Sequence, residues 1–599
     1  MKSDSKNLDN RIKKITDWIE SKISKRTFLY LISIVIGIVT GIATIILKTV
    51  VHYTGVFVHD VSQLDPTHIF LFATPLIGIT LTVLYVKYYV KDSLAHGVSK
   101  ILFAISRNDS RFPKHNKYSS IIASTLTVAF GGSVGLEAPA ALTGSAIGSN
   151  LAERFNLDYK ERTLLVGCGA AAAVACIFKA PIAGTIFALE VLMLDLSILS
   201  IVPLLLSAVT ASILSMLFLG DSVVFYFAVF EDFNIHNTFY YVILGVVCGL
   251  IGLYFTRALE FLETRFASKI KSSAKKVLMG GLALGVLISL FPPLYGEGYG
   301  TLMALFSSAP ADTLHTSSFF PLTGKVWQLA LFLALIIFLK AFAVGFTTGS
   351  GGVGGVFAPS LFLGGLTGYL FALIINSLNI SDISTRNFAL VGMAGVMAAV
   401  MQAPLSAIFL IAEITGGYAL FIPIIVTATF AYLTIHRFEK HSIYTKNLAK
   451  AGELITHNKD QAVITLMKMP NLIETDFSTV NYNAYFGSLI SEIVSSTRNI
   501  FPVVDDDNNF KGIILLDDIR KIMFDCDLYD EIEIKELMKH PKAIIDKADT
   551  MQQVMDCFEE TKEWNLPVVD NGKYLGFLSR SKVLTSYRDL LREVSLASD

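Results

Sequence analysis

From Phe28 to about Phe438 the chain is a succession of apolar runs with short polar breaks, and past Tyr444 charged and apolar positions are mixed. The first run, FLYLISIVIGIVTGIATIILKTVV, is long enough at ~1.5 Å per residue to cross ~30 Å of hydrocarbon. Three stretches, around residues 131–150, 167–180 and 349–368, are rich in Gly, Ala and Pro and carry shorter apolar pieces. They predict broken or re-entrant helices, which a membrane tolerates only where backbone amides face protein or a watery cavity. At the front, Ile12, Ile15, Ile19 and Ile23 recur at helical spacing among Arg11, Lys13, Lys14, Lys22, Lys25 and Arg26. This pattern predicts a basic amphipathic helix on the inner membrane surface or, alternatively, a plain soluble helix. The positive charge places the N-terminus in the cytoplasm.

A Gly-rich nonapeptide occurs twice, as GGSVGLEAP (131–139) and GGVGGVFAP (351–359). A second echo follows each copy, AP-I-A-G leading to Glu190 and AP-L-S-A leading to Glu413, so Pro181 answers Pro404 as Pro139 answers Pro359. Two matches in one register predict a duplicated membrane unit of two inverted halves. The tail carries its own repeat: LMKMP (466–470) matches LMKHP (537–541), and FPVVD (501–505) matches LPVVD (566–570). Each PVVD precedes a turn and then a strand-to-helix pattern, GIILLDDI from Gly512 or GFLSRSKV from Gly576. The tail resembles a tandem pair of CBS domains, small α/β modules at about residues 464–526 and 534–590. The expected organisation is a cytoplasmic N-terminal segment (1–26), a membrane domain (27–444) and a cytoplasmic pair of modules (445–599).

Composition agrees with membrane residence. Of 599 residues, 53% are hydrophobic and 17% charged, with mean hydropathy +0.57, whereas about a quarter of the residues of a soluble protein are charged. No basic run with interleaved aromatics offers a groove for nucleic acid. The five cysteines, Cys168, Cys176, Cys248, Cys526 and Cys557, form no CxxC pair and read as small apolar fillers, with no metal site. No short apolar segment with a cleavage site opens the chain, which argues against secretion. HExxH is absent, which disfavours a membrane metalloprotease. A CBS-containing magnesium channel or transporter is the alternative from another transport class; it would need several carboxylates at its pore.

In GGSVGLEAP the glycines let backbone approach a ligand, and Pro139 suits the first turn of a helix. A helix start leaves free amides and partial positive charge, which together bind anions. GGVGGVFAP supplies a second such start, and two starts from inverted halves can converge near the midplane. Glu137 adds a carboxylate to an apolar segment, a placement that marks function by default. Among anion-seeking amides its charged group can occupy an anion position and leave when protonated or outcompeted, which makes a proton-linked gate. The alternative is a structural Glu137 that caps a helix or pairs with a buried base. Lys340 and Lys179 are best read as snorkelling to an interface or as structural ion pairs, against the alternative of drawing anions to the pathway.

The membrane part resembles the CLC family of chloride channels and chloride/proton antiporters. That family carries G-[K/R]-E-G-P, G-x-F-x-P and a Tyr after the last membrane helix; here these are GLEAP (135–139), GVFAP (355–359) and Ser442-Ile443-Tyr444. The resemblance implies that Glu137 is the gating glutamate on the extracellular side, and that Gly135, Gly355, Val356, Phe357 and Tyr444 hold the central anion. Leu136 and Ala138 depart from the family pattern, which has a basic residue and a Gly there. The family's G-S-G-I-P aligns best with AHGVS (95–99), placing His96 where a Ser usually contacts the anion; a His packed at a vestibule edge is the other reading. Antiporters usually carry an inner Glu where this chain has Val191, so the proton-relay position is lost and a channel is favoured over an antiporter. Neighbouring Glu190, matched by Glu413, reads as structural. In CBS pairs an adenosine nucleotide often sits between modules; Asp518 and Ser579 are the candidate contacts, split between the halves so that neither is complete, and a structural or dimer-contact role is the alternative. No cofactor is required. The resemblance implies a homodimer in the inner membrane with both termini cytoplasmic, moving chloride under proton-sensitive and voltage-dependent control.

Overall fold

The glycines and prolines that interrupt the apolar runs become helix starts, stops and crossing points. The computed structural model describes residues 24–63, 69–92, 94, 97–194, 198–220, 233–270, 272–306, 325–415, 417–450, 464, 467 and 469–595. Most of the N-terminal amphipathic segment therefore lies outside the described residues. The chain divides into two units, Met1–Ala449 and Lys450–Asp599.

In the first unit, eight helices among the described residues are long and apolar enough to cross a membrane. The longest include Lys25–Gln63, Thr238–Lys269 and Val326–Gly349. Their outer faces expose Leu31, Ile42, Val246 and Leu331, as surfaces meeting lipid do. Tyr159–Phe178 differs: its apolar window is 89% buried, against 33% for Ser273–Leu290, so protein rather than lipid surrounds it. Small side chains permit this. The Tyr159–Phe178 helix packs on Glu137–Arg154, and Thr385–Met401 packs on Phe357–Ser377 in the second half. A Cβ on Gly144 would lie 2.1 Å from the Gly169 carbonyl oxygen, and one on Gly169 would lie 1.9 Å from that of Gly144. Gly364 and Gly392 repeat the contact at 2.3 and 2.4 Å. No other residue type fits at such crossings.

The helices after each crossing also match. Lys179 and Gln402 turn the chain through left-handed conformations (φ 55° and 51°). Pro181–Val191 and Pro404–Ile414 then begin with Pro in the first turn, where its missing N–H costs nothing. Each of these starts is capped from the other half. Glu413 accepts from the amides of Ile182 (3.1 Å) and Ala183 (2.8 Å). Glu190 accepts from those of Leu405 (3.1 Å) and Ser406 (2.7 Å), and from the Ser406 hydroxyl. A carboxylate at a helix start satisfies free amides and complements the helix dipole, so Glu190 and Glu413 are exchanged caps.

The second unit holds two three-stranded sheets of one design. Val480–Asn481 runs parallel to Ile500–Val504, which pairs antiparallel with Phe510–Leu515. Ile545–Asp546, Asn565–Asp570 and Lys573–Ser579 repeat the order. Both registers shift at the same step, between Val503 and Val504 and between Val568 and Val569. Phe477, Ile500, Val504, Tyr574 and Phe577 form a core shared by the modules, and Glu474 pairs with Phe577 as an isolated bridge.

Candidate functional site

The two Gly-rich nonapeptides meet. Gly135 donates to the Gly355 carbonyl and Gly355 to that of Gly135, both at 2.8 Å, forming an isolated antiparallel bridge. The approach to the bridge is duplicated as well. Gly131 and Gly351 take φ of 96° and 99°, a conformation that favours glycine. The Ser133 amide donates to Thr347 Oγ1 (3.1 Å) and the Val353 amide to Thr127 Oγ1 (3.0 Å). Directly past the bridge the helices Glu137–Arg154 and Phe357–Ser377 begin. Amides in the first turn of a helix have no intrahelical acceptor, and Pro359 contributes none, so Val356, Phe357 and Ala358 present donors at the bridge.

Glu137 lies in this junction and is 2% exposed. Its Oε1 accepts from the Tyr299 hydroxyl at 3.1 Å, and its Oε2 has no hydrogen-bond partner. A Cβ on Gly135 would come within 2.1 Å of Oε2 and 2.9 Å of the Ala358 Cβ. The carboxylate thus rests on the bridge itself, its open oxygen beside the start of the other half's helix. An ionised carboxylate so placed is a tethered anion, held by the Tyr299 hydroxyl and facing the Ala358 amide at the start of the other half's helix.

Leu136, Ala138, Val356 and Phe357 are buried. Phe357 stacks on Phe178 with ring centroids 5.1 Å apart and meets Phe187 edge-on, giving the junction an apolar wall. Tyr444 is buried with its hydroxyl unpartnered and lies within electrostatic reach of Glu137. Its carbonyl accepts from Ser99 (2.9 Å), on the helix Gly97–Arg107. A Cβ on Gly97 would sit 2.6 Å from the Ala138 carbonyl oxygen, so that helix abuts the Glu137 start. Lys446 holds the far side of the Tyr444 turn through Glu260 (2.7 Å) and Glu439 (2.9 Å). His96 lies outside the described residues.

Lys340 corrects the expectation of snorkelling. It is fully buried, donates to Ser133 Oγ (2.8 Å) and the Gly296 carbonyl (3.2 Å), and lies over the Phe362 ring. Partners within the bundle satisfy its ammonium, so it has no need to reach an interface. Lys179 Nζ donates to the Gly220 carbonyl at 2.7 Å, in exposed surroundings.

Glu297, Tyr299 and Lys48 were not among the residues singled out from the sequence. Glu297 Oε1 accepts from the Leu136 amide at 3.2 Å, and Lys48 donates to the Ile177 carbonyl at 2.9 Å. The available signal was GEGYG (296–300), an acid flanked by glycines between apolar segments, and a lone Lys in ATIILKTVV. Val191 is buried at the end of its helix and brings no ionisable group.

In the tail, Asp518 pairs with Lys539 (2.7 Å) and the Ser579 hydroxyl with Glu474, which also binds Arg498 (2.7 Å). A cavity of about 650 Å³ opens between the modules, with Arg498, Asp517, Lys539, Lys542 and Trp564 in its lining. Asp518 and Ser579 are instead engaged with their own partners.

A family model described as "Voltage gated chloride channel" matches residues 77–436, more than half of the chain. The chain belongs to the voltage gated chloride channel (CLC) family. CBS domain models match residues 472–525 and 534–589. A chloride channel protein described as ClcB-like, from Ralstonia nicotianae, is 30% identical over 381 residues, 63% of this chain and 85% of that one. The voltage-gated ClC-type chloride channel ClcB of Escherichia coli is 29% identical over 350 residues, 57% and 78% of the two chains. Among solved structures, a slow cyanobacterial Cl−/H+ antiporter superposes with TM-score 0.62 at 23% identity, over 72% of this chain and 99% of that one. A eukaryotic CLC transporter does so with TM-score 0.59 at 18% identity, over 93% and 98%. CLC membership removes the magnesium transporter as an alternative.

Proposed function

We propose that this CLC protein conducts chloride across the inner membrane as a proton-sensitive, voltage-dependent channel gated by Glu137. The observation that carries the reading is the Glu137 carboxylate lying on the Gly135–Gly355 bridge with Oε2 unpartnered. An anion arriving at the free amides competes with that carboxylate, and protonation of Glu137 removes the competitor. Gly135, Gly355, Val356 and Phe357 shape the central site, Tyr444 offers its free hydroxyl, and His96 is a further N–H donor to the anion.

Val191 supports the channel reading, because the inner position offers no group to carry a proton, and neighbouring Glu190 is engaged as a helix cap. A chloride/proton exchanger is the second reading, favoured by the acid pair Glu137 and Glu297 at one helix start. The working unit is a homodimer with a pathway in each subunit and both termini cytoplasmic, organised as segments 1–26, 27–444 and 445–599. The CBS pair regulates or assembles it, either with an adenosine nucleotide between its modules or as a structural, dimer-contact unit, and transport itself needs no cofactor.

The test is chloride efflux from liposomes holding the full chain, across a range of external pH, with and without a proton ionophore. A channel gives efflux indifferent to the ionophore, while uphill proton movement driven by a chloride gradient selects the exchanger. Glu137→Gln retains anion movement and loses its pH dependence; an unchanged pH profile rejects the gate.

A further inference from the structure

A second carboxylate stands at the start of the Glu137 helix. Leu136 precedes that helix, and its amide is taken by Glu297 Oε1 at 3.2 Å. The next side chain, Glu137, is held by Tyr299, two residues beyond Glu297. One short segment, 297–299, therefore contributes an acid to the mouth of the helix and a hydroxyl to the gate. Glu297 is also less enclosed than Glu137: it is partly accessible where Glu137 is buried.

Charged groups face Glu297 from several packed elements. Glu137 comes from its own helix, Lys48 from Lys25–Gln63, and Lys340 from Val326–Gly349. Lys340 is further fixed to the Gly296 carbonyl at 3.2 Å, next in sequence to the acid. Tyr299 comes from the short helix Tyr299–Leu305. The arrangement holds two acids and two bases about one helix start, with the amide of Leu136 and the hydroxyl of Tyr299 as the neutral donors. Leu136 brings no cation of its own, and the basic side chains within electrostatic reach of Glu297, Lys48 and Lys340, come from outside the motif.

Resting on the reading of Glu137 as the gate, we infer that Glu297 is a second gate carboxylate, a tethered anion at the Leu136 amide that sets how readily Glu137 takes up a proton and competes with chloride for the same helix start. Two like charges near one another disfavour simultaneous ionisation, so the pair shares its protons and titrates as a unit. When a proton reaches the pair from water, the oxygen of one carboxylate accepts it and the other keeps its charge. The proton balance closes with no further reactant. When Glu137 is neutral and swings away, Glu297 keeps negative charge on the helix start until chloride displaces it. The positioning half of the role belongs to Tyr299, whose hydroxyl fixes Glu137 relative to Glu297.

The experiment compares the full-length protein with Glu297→Gln, Glu297→Asp and Glu137→Gln in liposomes, measuring chloride efflux against external pH and against chloride concentration. Gln keeps an oxygen for the Leu136 amide and removes the charge. The expected Glu297→Gln result is an efflux midpoint displaced to lower pH by about one unit, because Glu137 loses the neighbouring charge that favours its protonation. Half-saturating chloride falls several-fold in the same variant. Glu297→Asp keeps the charge and holds the midpoint near that of the unaltered protein, whereas a merely structural Glu297, acting through its bond to the Leu136 amide, makes Gln benign and the shorter Asp the more disturbing. The inference is overturned if Glu297→Gln leaves both midpoint and half-saturation unchanged while Glu137→Gln abolishes the pH dependence. If Glu297→Gln does not assemble, the Asp variant decides: a midpoint moved by a full unit with the charge retained overturns it. Loss of the pH effect of Glu137→Gln itself marks failure of the gate reading instead.

Discussion

The two halves of the membrane unit have the same backbone and different chemistry. Gly131 and Gly351 turn alike, Thr127 and Thr347 accept the same exchanged amide bond, and Gly135 and Gly355 close one bridge. At the next step, however, the first half places Glu137 and the second places Phe357. Glu137 brings a charge and leaves an oxygen unpartnered; Phe357 stacks on Phe178 and meets Phe187 edge-on. Under the proposed gating role of Glu137, two presented helix starts need duplication, but a gate needs one mobile anion. A second carboxylate at Phe357 would place another negative charge at the same amides, and a second Phe at Glu137 would leave nothing to release on protonation. The duplicated backbone serves as scaffold, and the chemistry of the halves parts at the position where the copies disagree.

The comparison breaks most severely at the bridge. Gly355→Ala forces a Cβ within 2.9 Å of the Ala138 Cβ, and overpacking of this kind costs about 1–3 kcal/mol. Chloride flux in liposomes is expected to fall at least ~tenfold, since a separation of the helix starts also spoils the donor geometry; Gly135→Ala, which displaces Glu137 Oε2, should in addition flatten the pH profile. Equal pH profiles in the two variants would show that the halves do not differ at the gate.

The exchanged caps come next. Glu413→Gln should lower stability by about 1–2 kcal/mol, read as the midpoint of thermal unfolding in detergent. Glu190→Gln should cost more, because Glu190 also accepts from the Ser406 hydroxyl. A larger loss for Glu413 would reverse the asymmetry assigned here. The smallest effect belongs to the threonine exchange: Thr127→Val and Thr347→Val each remove one bond between the halves, worth about 1 kcal/mol. Thr127→Val should lower the unfolding midpoint somewhat further, because Thr127 Oγ1 also meets Thr82 Oγ1 at 3.0 Å; a larger drop for Thr347→Val would mean that the symmetry of the approach is geometric only.

Much of the scaffold could be read from the sequence because local rules write it there. Gly before an Ala-Pro helix start, Pro in the first turn, the Glu190 and Glu413 echo and the paired PVVD strands each depend on neighbours a few residues away. Contacts between distant segments were not legible. Thr127 and Thr347 look like ordinary fillers of apolar helices, and only the folded chain shows each receiving an amide from the other half. Glu297 lies 161 residues from the amide it binds, so its flanking glycines marked an unusual acid without saying what it touches. Lys340 stayed open between snorkelling and a structural pair for the same reason: in one dimension a lone Lys in an apolar run shows no partner, while Ser133 and Gly296 reach it from far along the chain.

The exchanged contacts are isologous: residue i of one half meets residue j of the other, and j meets i, as at the interface of a two-fold homodimer. Glu190 to the Pro404 helix and Glu413 to the Pro181 helix obey this rule, as do the Gly135–Gly355 bonds. A fused pair inherits the interface of such a dimer without its symmetry constraint, because each copy now has its own codons. That freedom allows one copy to acquire a glutamate while its counterpart stays aromatic, which no pair of identical subunits about the same axis could do.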